Sequence, residues 1–301
     1  MATTRINALI HARKHSASHR IVTRTMARSP LARAPVNVAL EFNATTEQVA
    51  CVLAGCLGAL FLQHASLFYL KRYHRQFIDG LDAKSRADVG IRCASSVWGM
   101  MCGVWAATLL PRALETSTDT LTRMYAQPPL VGAERLMALA TGFFAWDTVV
   151  SKMYYEAQYF WHGLVSFVVF GLPMFMPRGF LHLYACNFLM WETTIPCLSA
   201  RYILIKAGMG STTMFKAVEL VGFAFWIIIR FVIGLPMMYL YFKDASAMFA
   251  AKRASPTWVY VWYVTASVVL QVMNFIWLAA ILRAVFGKGK KKRDEGAMKE
   301  E

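Results

Sequence analysis

The sequence predicts an all-α, polytopic integral membrane protein with about seven transmembrane helices. Two observations carry that prediction. Of 301 residues, 57% are hydrophobic, 14% aromatic and only 16% charged, too apolar a mixture for a soluble domain of this length. The apolar residues also gather into seven stretches of roughly the 20 residues that cross a hydrocarbon core about 30 Å thick. No internal repeat or separable soluble domain is evident and the connections are short, so any chemistry is expected among the helices.

The stretches run over residues 47–70, 88–110, 134–152, 158–176, 179–206, 214–242 and 257–286. Only Pro177 and Arg178 stand between the fourth and the fifth, which makes that boundary the least sharply drawn. In the first, AGCLGA (residues 54–59), and in the second, GMMCG (residues 99–103), small residues would let neighbouring helices approach closely. The six cysteines all fall inside predicted spans with no CxxC pair, so they are expected to pack as small apolar side chains, with no disulfide framework and no metal site.

A net charge of +15 in a soluble protein would suggest nucleic acid. Here the cations lie between and beyond the apolar stretches, so they are read as topology signals and no nucleic-acid partner is expected. The first, third and fifth connections and the C-terminal tail carry the excess of Lys and Arg. The positive-inside rule therefore places the tail, with its Lys288 to Arg293 cluster, on the cytosolic side. Seven spans would then put the N-terminus on the opposite side, in tension with residues 1–40, which hold seven Lys and Arg and no acid. Residues 1–46 are read as a basic N-terminal tail and candidate targeting segment, with Ile6, Leu9, Ile10 and Arg13 at partly helical spacing. Residues 47–79 hold the first helix and its cytosolic connection, 80–286 a six-helix unit, and 287–301 a charged tail.

Ionisable groups inside apolar spans cost several kcal/mol unless they face the bundle interior, so they are the best pointers to a site. Asp147 lies five residues before Lys152, and His162 lies four after Gln158. With the polar stretch KMYYEAQ turning the chain between them, both come to lie roughly 6 to 8 Å below one membrane face. Asn187 and Glu192 precede Pro196, which cannot donate to the Glu192 carbonyl and should leave that spot open and polar. Arg230 sits mid-span in FWIIIRFVIGLP and needs an acid from another helix, with Glu192 or Asp147 as the expected partner. Arg201, Asn274 and Trp277 complete the set of polar bundle-interior candidates.

In order and spacing, these elements resemble the TRAM-LAG1-CLN8 (TLC) domain. They are an Asp-bearing helix, a short turn, a helix opening with His162, WETTIPCLSARYIL (residues 191–204), Arg230 in its apolar run, and NFIWL (residues 274–278). The resemblance covers roughly residues 80–286 and implies a six-helix bundle enclosing a lipid cavity. It also implies a specific chemistry. In the ceramide synthases of this family, a His-His pair followed by a hydroxyl residue takes an acyl group from acyl-CoA and passes it to a sphingoid amine, with acids on the next helix assisting. Here His162 and Ser166 match with Gly163 in place of the second histidine, or, in an alternative register, Trp161 stands in the first position and His162 in the second; either way one histidine is missing, and Glu192 stands for only one of the acids.

Three function classes follow. In the first, the bundle binds, senses or moves a long-chain lipid of fatty acyl or sphingoid type. In the second, it is an acyltransferase using His162 with Asp147 and Glu192. In the third, it is a subunit of an organellar membrane complex. The expected partners are a membrane lipid or acyl-CoA, with a second copy of the chain or a complex subunit as alternatives, and no cofactor is expected. The resemblance implies the endoplasmic-reticulum membrane, whereas the basic N-terminus points to a mitochondrial one.

Overall fold

The structure, a computed structural model, describes residues 38–286. The proposed targeting segment and the Lys288 to Arg293 cluster lie outside the described residues. Within them the chain is helical, with no named strand. Each of the seven apolar stretches becomes a long helix or a pair of stacked helices.

The first helix, α1 (Thr46–Tyr73), opens on a capping box in which Thr45 accepts from the Gln48 backbone and Gln48 accepts from that of Thr45. A short α2 (Arg75–Asp79) leads to α3 (Ala83–Thr116), capped by Asp82, and then to α4 (Thr120–Met124), capped by Asp119. α5 (Val131–Tyr154) and α6 (Ala157–Gly171) form an antiparallel pair, and α6 runs on into a 3-10 turn at Leu172–Phe175. The fifth stretch comprises α7 (His182–Leu189), a 3-10 segment at Met190–Thr194 and α8 (Ile195–Lys206). The sixth comprises α9 (Thr213–Ile227), a π-helical segment at Ile228–Ile233 and α10 (Gly234–Ala250), and α11 (Thr257–Phe286) completes the bundle.

Four helical runs are long and apolar enough to cross a membrane by length and composition: Thr46–Tyr73, Ala83–Thr116, Thr213–Ala250 and Thr257–Arg283. The fourth and fifth predicted spans are interrupted, and Pro196 shows how. It cannot donate to the Glu192 carbonyl, yet that oxygen is not left free as the sequence suggested, because the 3-10 turn brings the Ile195 amide onto it. In the sixth stretch, Pro236 cannot donate to Val232, and over the residues just before it the ladder widens to a π-helix.

The small residues set the helix spacing. A Cβ at Gly99 would stand 2.4 Å from the Glu192 carbonyl oxygen, and one at Gly103 would stand 2.0 Å from Thr193 Cγ2, so α3 lies directly against the 3-10 segment. Gly55 of α1 approaches the Leu139 carbonyl of α5 in the same way, whereas Gly58 meets nothing within 4 Å.

The two ends of the bundle are built differently. At the near end, where residues 74–82, 155–156 and 207–212 turn, Arg92 pairs with Asp88 at 2.9 Å and covers the Tyr202 ring at 4.1 Å, and Tyr155 donates its hydroxyl to Asp88. At the far end, residues 117–130 and 176–181 pair as an antiparallel bridge, Ala126 N to Gly179 O and Leu181 N to Met124 O, both 2.8 Å. Beneath that bridge the fully buried Asp244 of α10 accepts from Arg123 Nη2 at 2.7 Å, Thr120 Oγ1 at 2.8 Å and Tyr184 OH at 2.5 Å. This far-end clamp was not foreseen, because Asp244 falls just beyond the predicted span.

Candidate functional site

Two chambers lie between the helices. The near chamber has a volume of about 290 Å³. Its polar lining includes Arg92, Asp147, Tyr155, Tyr159, His162 and Glu192, set among Phe143, Ile195, Leu198, Trp226 and Ile281. The far chamber is narrower, at about 50 Å³, and mostly apolar, lined by Phe170, Phe188, Leu181 and Leu270, with Tyr184, Tyr241 and Tyr263 toward the far end. Five side chains line both: Phe144, His162, Glu192, Arg230 and Trp277. They stand at the waist between the two chambers.

α5 and α6 deliver Asp147 and His162 to the same chamber. The His162 ring stands edge-on to Trp277 at 5.5 Å and to Phe144 at 6.1 Å, and its Nδ1 is buried without a hydrogen-bond partner among the described residues. Gly163, the position of the absent second histidine, is in tight contact with α5. A Cβ there would stand 2.8 Å from Asp147 Oδ2 and 3.0 Å from the Thr148 backbone nitrogen. Ser166, the matching hydroxyl residue, is buried and lines the far chamber. Neither Asp147 nor Glu192 has a side-chain hydrogen bond or ion pair among the described residues, so both present acceptor oxygens with no protein donor.

Arg230 departs from expectation. Instead of pairing with Glu192 or Asp147, it donates from Nη1 to Asn274 Oδ1 at 2.6 Å and from Nη2 to the Trp191 carbonyl at 3.3 Å. Its guanidinium sits among three indoles, with its central carbon 5.6 Å from the Trp191 and Trp277 rings and 5.8 Å from that of Trp226. The reason lies in the backbone. The π-helical segment and Gly234, where a Cβ would meet Trp191 Nε1 at 2.9 Å, turn Arg230 into the aromatic box. The 3-10 segment in turn brings the Trp191 carbonyl to it.

The other candidates separate. Asn274 braces Arg230 and lines neither chamber, while Trp277 lines both. Asn187 is fully buried, with both amide atoms unpartnered among the described residues, and also lines neither. Arg201 lies outside the waist, paired with Glu219 at 3.0 Å beside a further cavity of about 210 Å³ between α8, α9 and α11, which shares Leu198, Trp226, Ala280 and Ile281 with the near chamber. His182 accepts from the Leu130 amide at 3.2 Å and anchors the start of α5. Sequence reasoning missed Arg92, Tyr155 and Tyr159 at the chamber mouth. The Asp88-Arg92 pair, four residues apart at the head of the second span, was the available signal.

The TLC domain model of the TRAM_LAG1_CLN8 family matches residues 88–283. The chain belongs to the TLC domain family. The match takes in both chambers and leaves α1 and most of the near-end turn outside. A relative in Saccharomyces cerevisiae, an uncharacterized TLC domain-containing protein, is 37% identical over 67 residues. That stretch is 22% of this chain and 20% of the relative, so it covers about a fifth of the relative's length. Family membership agrees with a polytopic membrane protein linked to lipid metabolism or sensing.

Proposed function

We propose that this TLC protein binds one long-chain lipid of fatty acyl or sphingoid type, and senses or moves it in lipid homeostasis at the endoplasmic-reticulum membrane. The supporting observation is the pair of chambers that share Phe144, His162, Glu192, Arg230 and Trp277 in their walls. An amphipathic molecule matches that division. Its headgroup lies in the wide near chamber, where Asp147 and Glu192 offer acceptor oxygens to hydroxyl or amine donors, and its chain enters the narrow apolar chamber, where burial of each methylene contributes about 0.8 kcal/mol. The test is mass spectrometry of lipid extracted from the purified full chain. A defined long-chain species at near-stoichiometric amount is expected, and protein that carries only bulk phospholipid in proportion to detergent would overturn the reading.

A second reading, acyl transfer through His162, draws on the shared chamber of His162 and Asp147. The contact between α5 and α6 at Gly163 weighs against it, since it leaves no room for the second histidine of the ceramide synthase pattern. Labelled acyl-CoA separates the two readings. A hydroxylamine-sensitive acyl group that is lost in His162→Ala would favour transfer over binding alone.

A further inference from the structure

We infer that Tyr241 sets the length of chain that the far chamber accepts; this rests on the lipid-binding reading above. Leu181, Tyr184, Tyr241 and Tyr263 close the far end of that chamber. Three of the four are held in place by hydrogen bonds. The Leu181 amide is bonded to the Met124 carbonyl at 2.8 Å, Tyr184 donates to Asp244 at 2.5 Å, and Tyr263 donates to the Val169 carbonyl at 2.6 Å. Asp244 is itself fixed by Arg123 and Thr120, so the wall behind Tyr184 is rigid.

Tyr241 is the exception. It is 1% exposed, its hydroxyl has no partner among the described residues, and its ring meets Tyr184 edge-on at 5.1 Å. It therefore blocks the chamber by volume alone, without belonging to the hydrogen-bonded wall. Along the helix it lies eleven residues beyond Arg230, about 16 Å at 1.5 Å per residue. That is the depth available to a chain whose head stays on the waist side. Phe170, Phe188 and Leu270 line the same chamber.

The test compares the chain-length distribution of lipid extracted from the purified full chain and from three variants. Tyr241→Ala opens space on the order of 100 Å³ and is expected to lengthen the mean chain by about two to four carbons. Tyr241→Trp is expected to shorten it, and Tyr241→Phe, which keeps the ring, to leave it unchanged. An unchanged distribution in both Tyr241→Ala and Tyr241→Trp at wild-type lipid occupancy would overturn this inference while leaving the binding reading intact. Wild-type protein with no bound lipid would remove both. If Tyr241→Ala does not yield monodisperse protein, the Tyr241→Trp arm decides.

Discussion

A Cβ at Gly163 would stand 2.8 Å from Asp147 Oδ2, so α5 and α6 touch at the position where a second histidine would otherwise stand. With the Thr148 backbone nitrogen at 3.0 Å, moving the aspartate alone does not relieve the clash. Gly163→Ala should destabilise by about 1 to 3 kcal/mol, the usual cost of overpacking a fitted contact. Gly163→His should cost more and should not create acyltransferase activity. Thermal unfolding in detergent and an acyl-CoA turnover assay check the two halves.

Asn274 gives the buried Arg230 its shortest hydrogen bond, while Glu192 acts on it through charge alone. Asn274→Ala leaves a cation in the apolar interior with one weak acceptor, and a loss of about 2 to 4 kcal/mol is expected. Replacing the cation itself, as Arg230→Met, should cost less than Asn274→Ala, because it removes the group that needs a partner. Equal melting points for the two variants would refute that ordering.

Asp244 ties α4, α7 and α10 together at the far end through Arg123, Thr120 and Tyr184. Asp244→Ala strands the largely buried Arg123 and should cost about 3 to 5 kcal/mol. Proteolysis should then find its first cuts in residues 117–130, whose anchor has gone; an unchanged cleavage map would count against the clamp.

Ser199 is 3% exposed and lines the near chamber. Ser199→Trp places a large ring into the 290 Å³ space and should reduce retained lipid at least about tenfold, with only a modest loss of stability. Lipid retained at the wild-type level would show that the near chamber is not where the ligand sits.

Asp82 caps α3, receiving the Ser85 hydroxyl at 2.7 Å and the Ser85 amide at 2.9 Å, and these bonds, the side-chain one foremost, hold its carboxyl below the usual 3.8. A carboxylate lowered in the folded state stabilises above its unfolded value, and that contribution is lost as pH falls through the folded value. The protein should therefore lose stability below about pH 4, and Asp82→Asn should flatten that acid limb. A wild-type slope in the variant would assign the limb to other acids.

Much of the fold was legible because an apolar run of twenty residues has few alternatives in a bilayer, where every backbone amide must bond within its own helix. The short polar turn between Asp147 and His162 was likewise legible. What could not be read were the partners. Arg230 appeared to need Glu192, but helix rotation and two local changes of helix type, the 3-10 turn at Met190–Thr194 and the π-helix at Ile228–Ile233, gave it Asn274 and the Trp191 carbonyl instead.

By itself, then, the sequence determined an all-α membrane bundle of the TLC type, the flanking of one polar turn by Asp147 and His162, and the small residues on which its helices close. The tertiary structure alone decided that α6 packs against α5 at Gly163, that five side chains line both chambers, and that Asp244 ties the far end together. Apolar periodicity is a property of each segment taken separately. The rotation of one helix against another is settled only by how all their side chains pack at once.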